Sequence, residues 1–579
     1  MNERRKLRSI PDSLELDGVF ASSRDRCGLF SKFFERSFNP VSRSFTGASV
    51  SSSVDFTGLE QRLNDLPLLD INDIDRLIKG LDRNKGAGPD GFPPSFFKDA
   101  SKAIAVPLLL IFNASIRERS FPSIWKMAHV TPIFKSGSRS SVDNFRGISI
   151  LSCPAKMIEL HITKFLTDQL RHILSRNQHA YLSGRSTTTN LVEYVSRLQN
   201  NLEQGVQVDA IYTDFSKAFD VIPHDLLLAK LSNFGIGSRI TDWLSSYLSG
   251  RQQRVKIENT LSNPVNIPSG VPQGSHIGPL LFAIYINDLL LSIERLGVGC
   301  SAYADDLKIF IPVYNDSSAQ KLQDAIEIVK IWCEANGMLL NPTKCQTISF
   351  TRKQQPLEFG YTVSGSRLKR VYSIKDLGVF LDNKLTFGTQ IDRLVSRARS
   401  TLGMVKRFSG EFQDQLVTLT LYKSLVRPIL EYASPVWAPN YASASERVES
   451  VQKQFVLYAL RHHYPAGTFP LPPYTQRLDE INLDSLINRR KASQILLAYD
   501  GYAGTFDCEW ICSQFTRHIP SRLLRYNEFF RVEHRRTNYS RYEPINHAKL
   551  LFNSHAHLLH GYRTKKSFKE AVLVELRAA

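Results

Sequence analysis

Two adjacent carboxylates, Asp305 and Asp306, follow Tyr303-Ala304 between apolar runs at 298–302 and 307–313. These runs are rich in small, aromatic and β-branched residues, which reads as paired strands with the acids at the hairpin tip. Like charges held beside buried strands lose hydration and repel unless something divalent neutralises them. Upstream, Asp214 closes another apolar run, 206–213. Three carboxylates at the ends of neighbouring strands make an oxygen-rich site for Mg²⁺, or for Mn²⁺ in its place, as in nucleotidyl transfer. An isolated Asp-Asp is ordinarily just a hydrophilic turn. The residues around this one decide the matter.

Asp214-Phe215-Ser216-Lys217-Ala218-Phe219-Asp220, then Ser269-Gly270-Val271-Pro272-Gln273-Gly274, then Tyr303-Ala304-Asp305-Asp306 resemble, in order and spacing, motifs A, B and C of a reverse transcriptase. The continuation Ser275-His276-Ile277-Gly278-Pro279-Leu280 resembles the non-LTR retrotransposon branch, in particular jockey-like elements of insects. So does Asn144-Phe145-Arg146-Gly147-Ile148-Ser149-Ile150, with Gly147 where many relatives carry Pro. Gln178-His179-Ala180-Tyr181-Leu182-Ser183-Gly184-Arg185-Ser186-Thr187 is a further match. The similarity covers roughly 70–460 and continues weakly to the end.

The resemblance implies an RNA-directed DNA polymerase, the polymerase part of such an element's second open reading frame. Its partners would be an RNA template, a DNA primer or target DNA, and dNTPs; no expectation attaches to oligomeric state. On that reading Asp214 and Asp305 hold two Mg²⁺ ions, Asp306 supports them, and the Phe215 carbonyl is a backbone ligand. Lys344 is the general acid for the leaving pyrophosphate, if held near the phosphates. Lys135 and Arg146 lie in basic loops that fold over the triphosphate, Arg146 through its bidentate fork. Phe219 sits under the incoming sugar and leaves no space for a 2′-hydroxyl. Gln273 reaches the template or nascent pair, because Gly270 and Gly274 let backbone approach closely. Arg185 and Gly274 are assigned to nucleic acid. Competing readings are a viral RNA-dependent RNA polymerase, a group II intron maturase, and a domesticated RNA-binding protein with an inactive palm.

A chain of 579 residues, 42% hydrophobic, can bury several cores. A formal charge of +18 points to a polyanionic partner. No apolar stretch approaches the ~20 residues that span a bilayer, so nucleic acid is preferred over membrane. Seven cysteines do not form a disulfide framework, which implies a reducing, intracellular compartment. Cys508, Cys512 and His518 fall short of a complete zinc set, as do His555, His557 and His560. The basic run Arg4, Arg5, Lys6 and Arg8 suits nuclear import, with cytoplasmic assembly on the element's RNA.

The elements that must position these residues read as an α+β right-hand polymerase, its palm an antiparallel sheet backed by helices. Residues 1–70 read as a flexible segment, with a Ser-rich linker at 37–53 and no room for the apurinic-type endonuclease that family members often carry. Residues 71–205 read as fingers and N-terminal extension, and 206–385 as palm, including a primer-grip segment at 375–382. Residues 386–460 read as a helical thumb, where a second helix over 413–432 follows one carrying Arg393, Arg397, Arg399, Lys406 and Arg407 towards the primer–template backbone. Residues 461–579 read as a small basic C-terminal domain. Its mixed arginines and aromatics at 522–542 suit either stacking on single-stranded bases or an ordinary aromatic core.

Overall fold

The computed structural model describes residues 10–11, 13–21, 25–38, 63–411, 414–461, 470–519, 528–562 and 564–578. At its centre stands a sheet in the order Lys369–Arg370, Gln346–Phe350, Gln207–Thr213, Asp306–Val313, Gly299–Tyr303. The last four strands pair antiparallel. Side chains alternate along each strand, so the sheet feeds two cores. Ile211, Leu307, Ile309 and Ile311 join the helices Gly278–Tyr285, Asn287–Arg295 and Asp316–Ala335 on one face. Val208, Ala210, Ile348 and Phe350 join Thr187–Glu203, Gly388–Ser409 and Leu486–Tyr502 on the other. Burial on both faces is why these strands read as nearly continuous apolar runs.

A second sheet, ordered Phe145–Ile150, Met127–Phe134, Gln252–Ile257, Thr260–Leu261, forms the fingers. Gln252–Ile257 falls within the expected palm range, yet it pairs in parallel with Met127–Phe134. Its alternation, with Gln253, Val255 and Ile257 inward, suits a half-covered sheet and not the doubly covered palm.

The described parts of 1–70 are not loose. The hairpin Leu14–Leu16 with Val19–Ala21 and the helix Arg26–Glu35 bring Leu14, Leu16, Phe30 and Phe34 onto Val130, Phe145 and Val255 of the fingers. The basic run at 4–8 and nearly all of the 37–53 linker lie outside the described residues.

The expected thumb helix is Gly388–Ser409, burying Ile391, Leu394, Ala398, Leu402 and Val405. The expected helix over 413–432 runs without interruption over 415–431, with a π-turn at Tyr422–Val426 between the α-helical parts Gln415–Leu421 and Arg427–Glu431. Pro428 accounts for the π-turn: it has no N–H to donate, and its ring crowds the carbonyl one turn back. Thumb and C-terminal region also share one core, with Val451 and Phe455 in the same cluster as Ile495, Phe552 and Phe568. Glu449, buried, joins them by accepting the first amides of the Leu486–Tyr502 helix, Leu486 at 3.0 Å and Ile487 at 3.1 Å. Of the 522–542 aromatics, Phe530 is fully buried and Phe529 and Tyr539 pack against this core, while 520–527 lie outside the described residues.

Candidate active site

Strand register builds the acidic end. Thr213 stands opposite Leu307, so Asp214, one residue on, emerges beside the turn that carries Asp305 and Asp306. Ala304 holds that turn in the left-handed region at φ 58. The loop at 339–344 docks on motif A, with Ser216 N donating to the Leu339 carbonyl at 2.8 Å and Asn341 N to the Asp214 carbonyl at 2.9 Å. This pairing leaves the Phe215 carbonyl out of the bridge. It also brings Lys344 Nζ to 3.5 Å from Asp214 Oδ2.

The electrostatics are those of crowded acids. Desolvation raises the Asp305 carboxyl, Asp214 raises it further, and Arg146 and Lys135 pull it down. Asp306 keeps solvent access, yet the protein around it, and then Asp305, Asp376 and Asp214, push its carboxyl up to about 6. Among the described residues, no three acidic, His or Cys side chains converge into a ready-made metal cage. The donor set still fits Mg²⁺, which is commonly held by one or two carboxylates with waters and substrate phosphates completing its shell. Asp214, the Phe215 carbonyl and Asp305 would hold it, with Asp306 alongside.

Motif B packs on motif A: Gly270 N donates to the Ile222 carbonyl at 2.7 Å and Val271 N to the Phe219 carbonyl at 2.8 Å. Gln273 does not extend freely, because its Nε2 donates to Asp220 Oδ1 at 3.0 Å. Burial pushes the Asp220 carboxyl up to about 6, against Gln273, Lys217 and Arg146. Gly274, at φ 117, would drive a Cβ to 2.5 Å from the Ser149 carbonyl, so close approach to the fingers strand is what requires glycine there. Glu159, buried, steadies this loop by accepting His276 N at 2.9 Å and the Tyr247 hydroxyl at 2.9 Å.

Phe219 stacks on Phe282 with ring centroids 4.7 Å apart and meets Tyr181 edge-on at 6.4 Å. Tyr181, which motif reasoning gave no role, stands at the site: its ring keeps solvent access, yet partial desolvation and then Asp305 are the leading causes that push its hydroxyl up to about 12. The signal was its place in the 178–187 run. Lys135 and Arg146 are exposed on the fingers, and their charges act on Asp305. Arg393 and Arg397 are exposed on the thumb helix, Arg393 lying over the Phe380 ring of the 373–382 hairpin at 4.3 Å.

Arg185 is a correction. Its side chain is 4% exposed, and it is paired with Asp507 at 3.0 Å. It also donates to the carbonyls of Ser175, Gln178 and Asp507, so its guanidinium is committed to protein and not to nucleic acid. A partner 322 positions away leaves no local trace in the sequence. Cys508, considered with zinc, sits in the same seam with Sγ 3.9 Å from His179 Nδ1, its thiol pushed up to about 11 by burial.

Sequence reasoning also passed over a buried group below the turn. Lys308 Nζ lies 2.6 Å from Asp376 Oδ2 and donates to Asn190 Oδ1 at 2.8 Å, while the Tyr212 hydroxyl donates to the same Asp376 oxygen at 3.1 Å. The pair ties the strand Asp306–Val313 to the hairpin Ser373–Asp376 with Val379–Asp382.

Residues 133–379 match the family model described as reverse transcriptase (RNA-dependent DNA polymerase). A similar protein is the probable RNA-directed DNA polymerase from transposon BS of Drosophila melanogaster, 29% identical over 404 residues, covering 66% of this chain and 44% of that one. The RNA-directed DNA polymerase from mobile element jockey of Drosophila funebris is 24% identical over 451 residues, covering 76% and 49%. The chain spans under half the length of these curated relatives. A truncated apo telomerase from Candida tropicalis, at 13% identity and TM-score 0.33 over 51% of this chain and 60% of that one, is too slight a likeness to bear on the fold. The motif order that first suggested a polymerase and the comparisons agree: residues 133–379 are similar to reverse transcriptases, and the chain around them is similar to the RNA-directed DNA polymerases of the BS and jockey elements.

Proposed function

We propose that this chain is the RNA-directed DNA polymerase of a non-LTR retrotransposon, extending a DNA primer on an RNA template with dNTPs. The observation that carries the reading is the end-to-end meeting of Asp214 with the Asp305-Asp306 turn, opposite Lys135 and Arg146. When bound, two Mg²⁺ ions would activate the primer 3′-hydroxyl and stabilise the leaving oxygens. The chain's own residues do the rest. Asp214, Asp305 and the Phe215 carbonyl hold the cations, and Asp306 adds negative charge beside them. Arg146 and Lys135 neutralise the triphosphate, where a charge-spreading transition state rewards fixed cations. Lys344, beside Asp214, holds the proton that pyrophosphate takes as it leaves. Gln273, drawn off Asp220, and the Gly274 backbone contact the template or nascent pair. The same reading sends the protein to the nucleus after assembly on the element's RNA.

Phe219 selects the sugar. Backed by Phe282, the ring cannot retreat to admit a 2′-hydroxyl. Primer extension on one RNA template, with dNTPs and then rNTPs, tests both statements. The parent extends with dNTPs. Phe219→Val lowers its preference over rNTPs by at least about tenfold, close to 1.4 kcal/mol of discrimination. No extension by the parent sinks the polymerase reading; an unchanged ratio in the variant makes Phe219 a core residue only.

A further inference from the structure

Residues 177–181 run along the outer edge of the strand Gly299–Tyr303, with Gln178 bridged to Ala302. Ala302 N donates to the Asn177 carbonyl, and His179 N donates to the Ala302 carbonyl, both at 2.9 Å. Gln178 is 1% exposed and turns its side chain onto the catalytic turn. Its Oε1 accepts the amides of Ala304 at 3.1 Å and Ala180 at 3.0 Å. A non-glycine residue at positive φ costs on the order of 1 kcal/mol and persists only where its surroundings hold it. Gln178 supplies that hold at Ala304, immediately before Asp305.

Gln178 is itself held from behind. Arg185 donates one guanidinium nitrogen to the Gln178 carbonyl at 2.7 Å. Its Nε reaches the Asp507 carbonyl at 2.8 Å and carboxylate at 3.0 Å. Arg171 Nε meets the same carboxylate at 3.0 Å. Backbone closes the seam, with Asp507 N donating to the Gly184 carbonyl at 3.0 Å. Gly184 sits at φ 81, where a Cβ would stand 2.7 Å from Asp507 N, so a larger residue would push the two segments apart.

We propose that Asp507, in the C-terminal region, is a positioning residue of the polymerase site. It fixes Arg185, Arg185 fixes the 177–181 segment, and Gln178 fixes the turn that presents Asp305. The C-terminal region is then part of the catalytic framework. Its activity readout rests on the polymerase reading above; the state of the turn can be measured without it.

Asp507→Asn, Gln178→Ala and the double variant would be made in the full chain. Hydrogen exchange of the segment 299–307 reads the turn directly, and primer extension reads its consequence. Asp507→Asn is expected to speed exchange there and lower kcat, each by about tenfold, with KM for dNTP unchanged and with the loss of protection at the turn exceeding what any fall in melting temperature accounts for. The double variant should behave like Gln178→Ala alone, because residues acting through one another are not additive. Asp507→Glu, which keeps the charge, should restore protection of the turn. Unchanged exchange in Asp507→Asn overturns the proposal, as do additive effects, or a melting temperature that falls in step with protection in every variant including Asp507→Glu. If the parent extends no primer, the polymerase reading fails and the exchange experiment still decides the relay.

Discussion

The strand Asp306–Val313 treats charge in opposite ways at neighbouring positions. At its start, Asp306 keeps solvent access, and Asp305, Asp376 and Asp214 all raise its carboxyl. Two residues along the same face, Lys308 is 4% exposed and meets Asp376, 5% exposed, at 2.6 Å with further bonds from Asn190 and Tyr212. Charge inside the fold is matched by the fold. Charge at the strand ends is only partly matched, by Lys344 beside Asp214 and by Arg146 and Lys135 acting on Asp305, and the carboxyls of Asp305 and Asp306 stay raised. On the proposed function, the difference separates what holds the hairpin together from what would do the chemistry.

The largest effect should come from the matched pair. Lys308→Ala leaves Asp376 buried without its cation, which costs roughly 3–5 kcal/mol. The denaturant midpoint should fall accordingly, and Lys308→Met combined with Asp376→Leu should recover most of the loss. A Lys308→Ala midpoint equal to the parent's would erase the contrast between the two positions. At the strand end the sign should reverse. The Asp306 carboxyl sits at about 6 in the folded chain against an ordinary 3.8, so protonation favours the folded state. Without divalent ions, stability should rise as pH falls from 7 through 6, and be lost again as pH rises. Asp306→Asn should raise the melting temperature at neutral pH and remove its share of that dependence, the part due to Asp220, also raised to about 6, remaining. A fall in melting temperature would mean Asp306 has a partner within the fold.

Exposed cations on the thumb give the smallest effect. Arg393 and Arg397 lie one turn apart on the Gly388–Ser409 helix, in solvent. Arg393→Ala with Arg397→Ala should weaken binding to every primer–template sequence about equally. Each lost phosphate contact should flatten log affinity against log salt by about 0.7–0.9. Filter retention across a salt series checks this, with circular dichroism to confirm the fold. An unchanged slope would make both arginines ordinary solvated charges.

What could be read from the sequence was what neighbours in the chain decide. Strands Gly299–Tyr303 and Asp306–Val313 fall on the two apolar runs that flank the Asp305-Asp306 turn, since local composition alone marks them. That Asp214, Asp305 and Asp306 lie together at strand ends was legible because each borders an apolar run. Arg185 was misjudged, since its partner Asp507 is distant in the chain and nothing near Arg185 distinguishes a strut from a phosphate contact. The shared core of thumb and C-terminal region was hidden for the same reason, as helix periodicity shows an apolar face but not what covers it. Gln273 lay between these cases: its motif was plain, but its hydrogen bond to Asp220 needed the folded loop.

The most direct measurement of the central claim is Asp305→Asn in primer extension on an RNA template, with RNA binding measured on the same preparation. If the unmatched carboxylates serve cations and not template, extension should fall by at least about a hundredfold, near 2.7 kcal/mol of transition-state stabilisation. RNA affinity should stay within about twofold. Extension retained at more than a few per cent of the parent's rate, or RNA affinity lost along with it, would contradict the account.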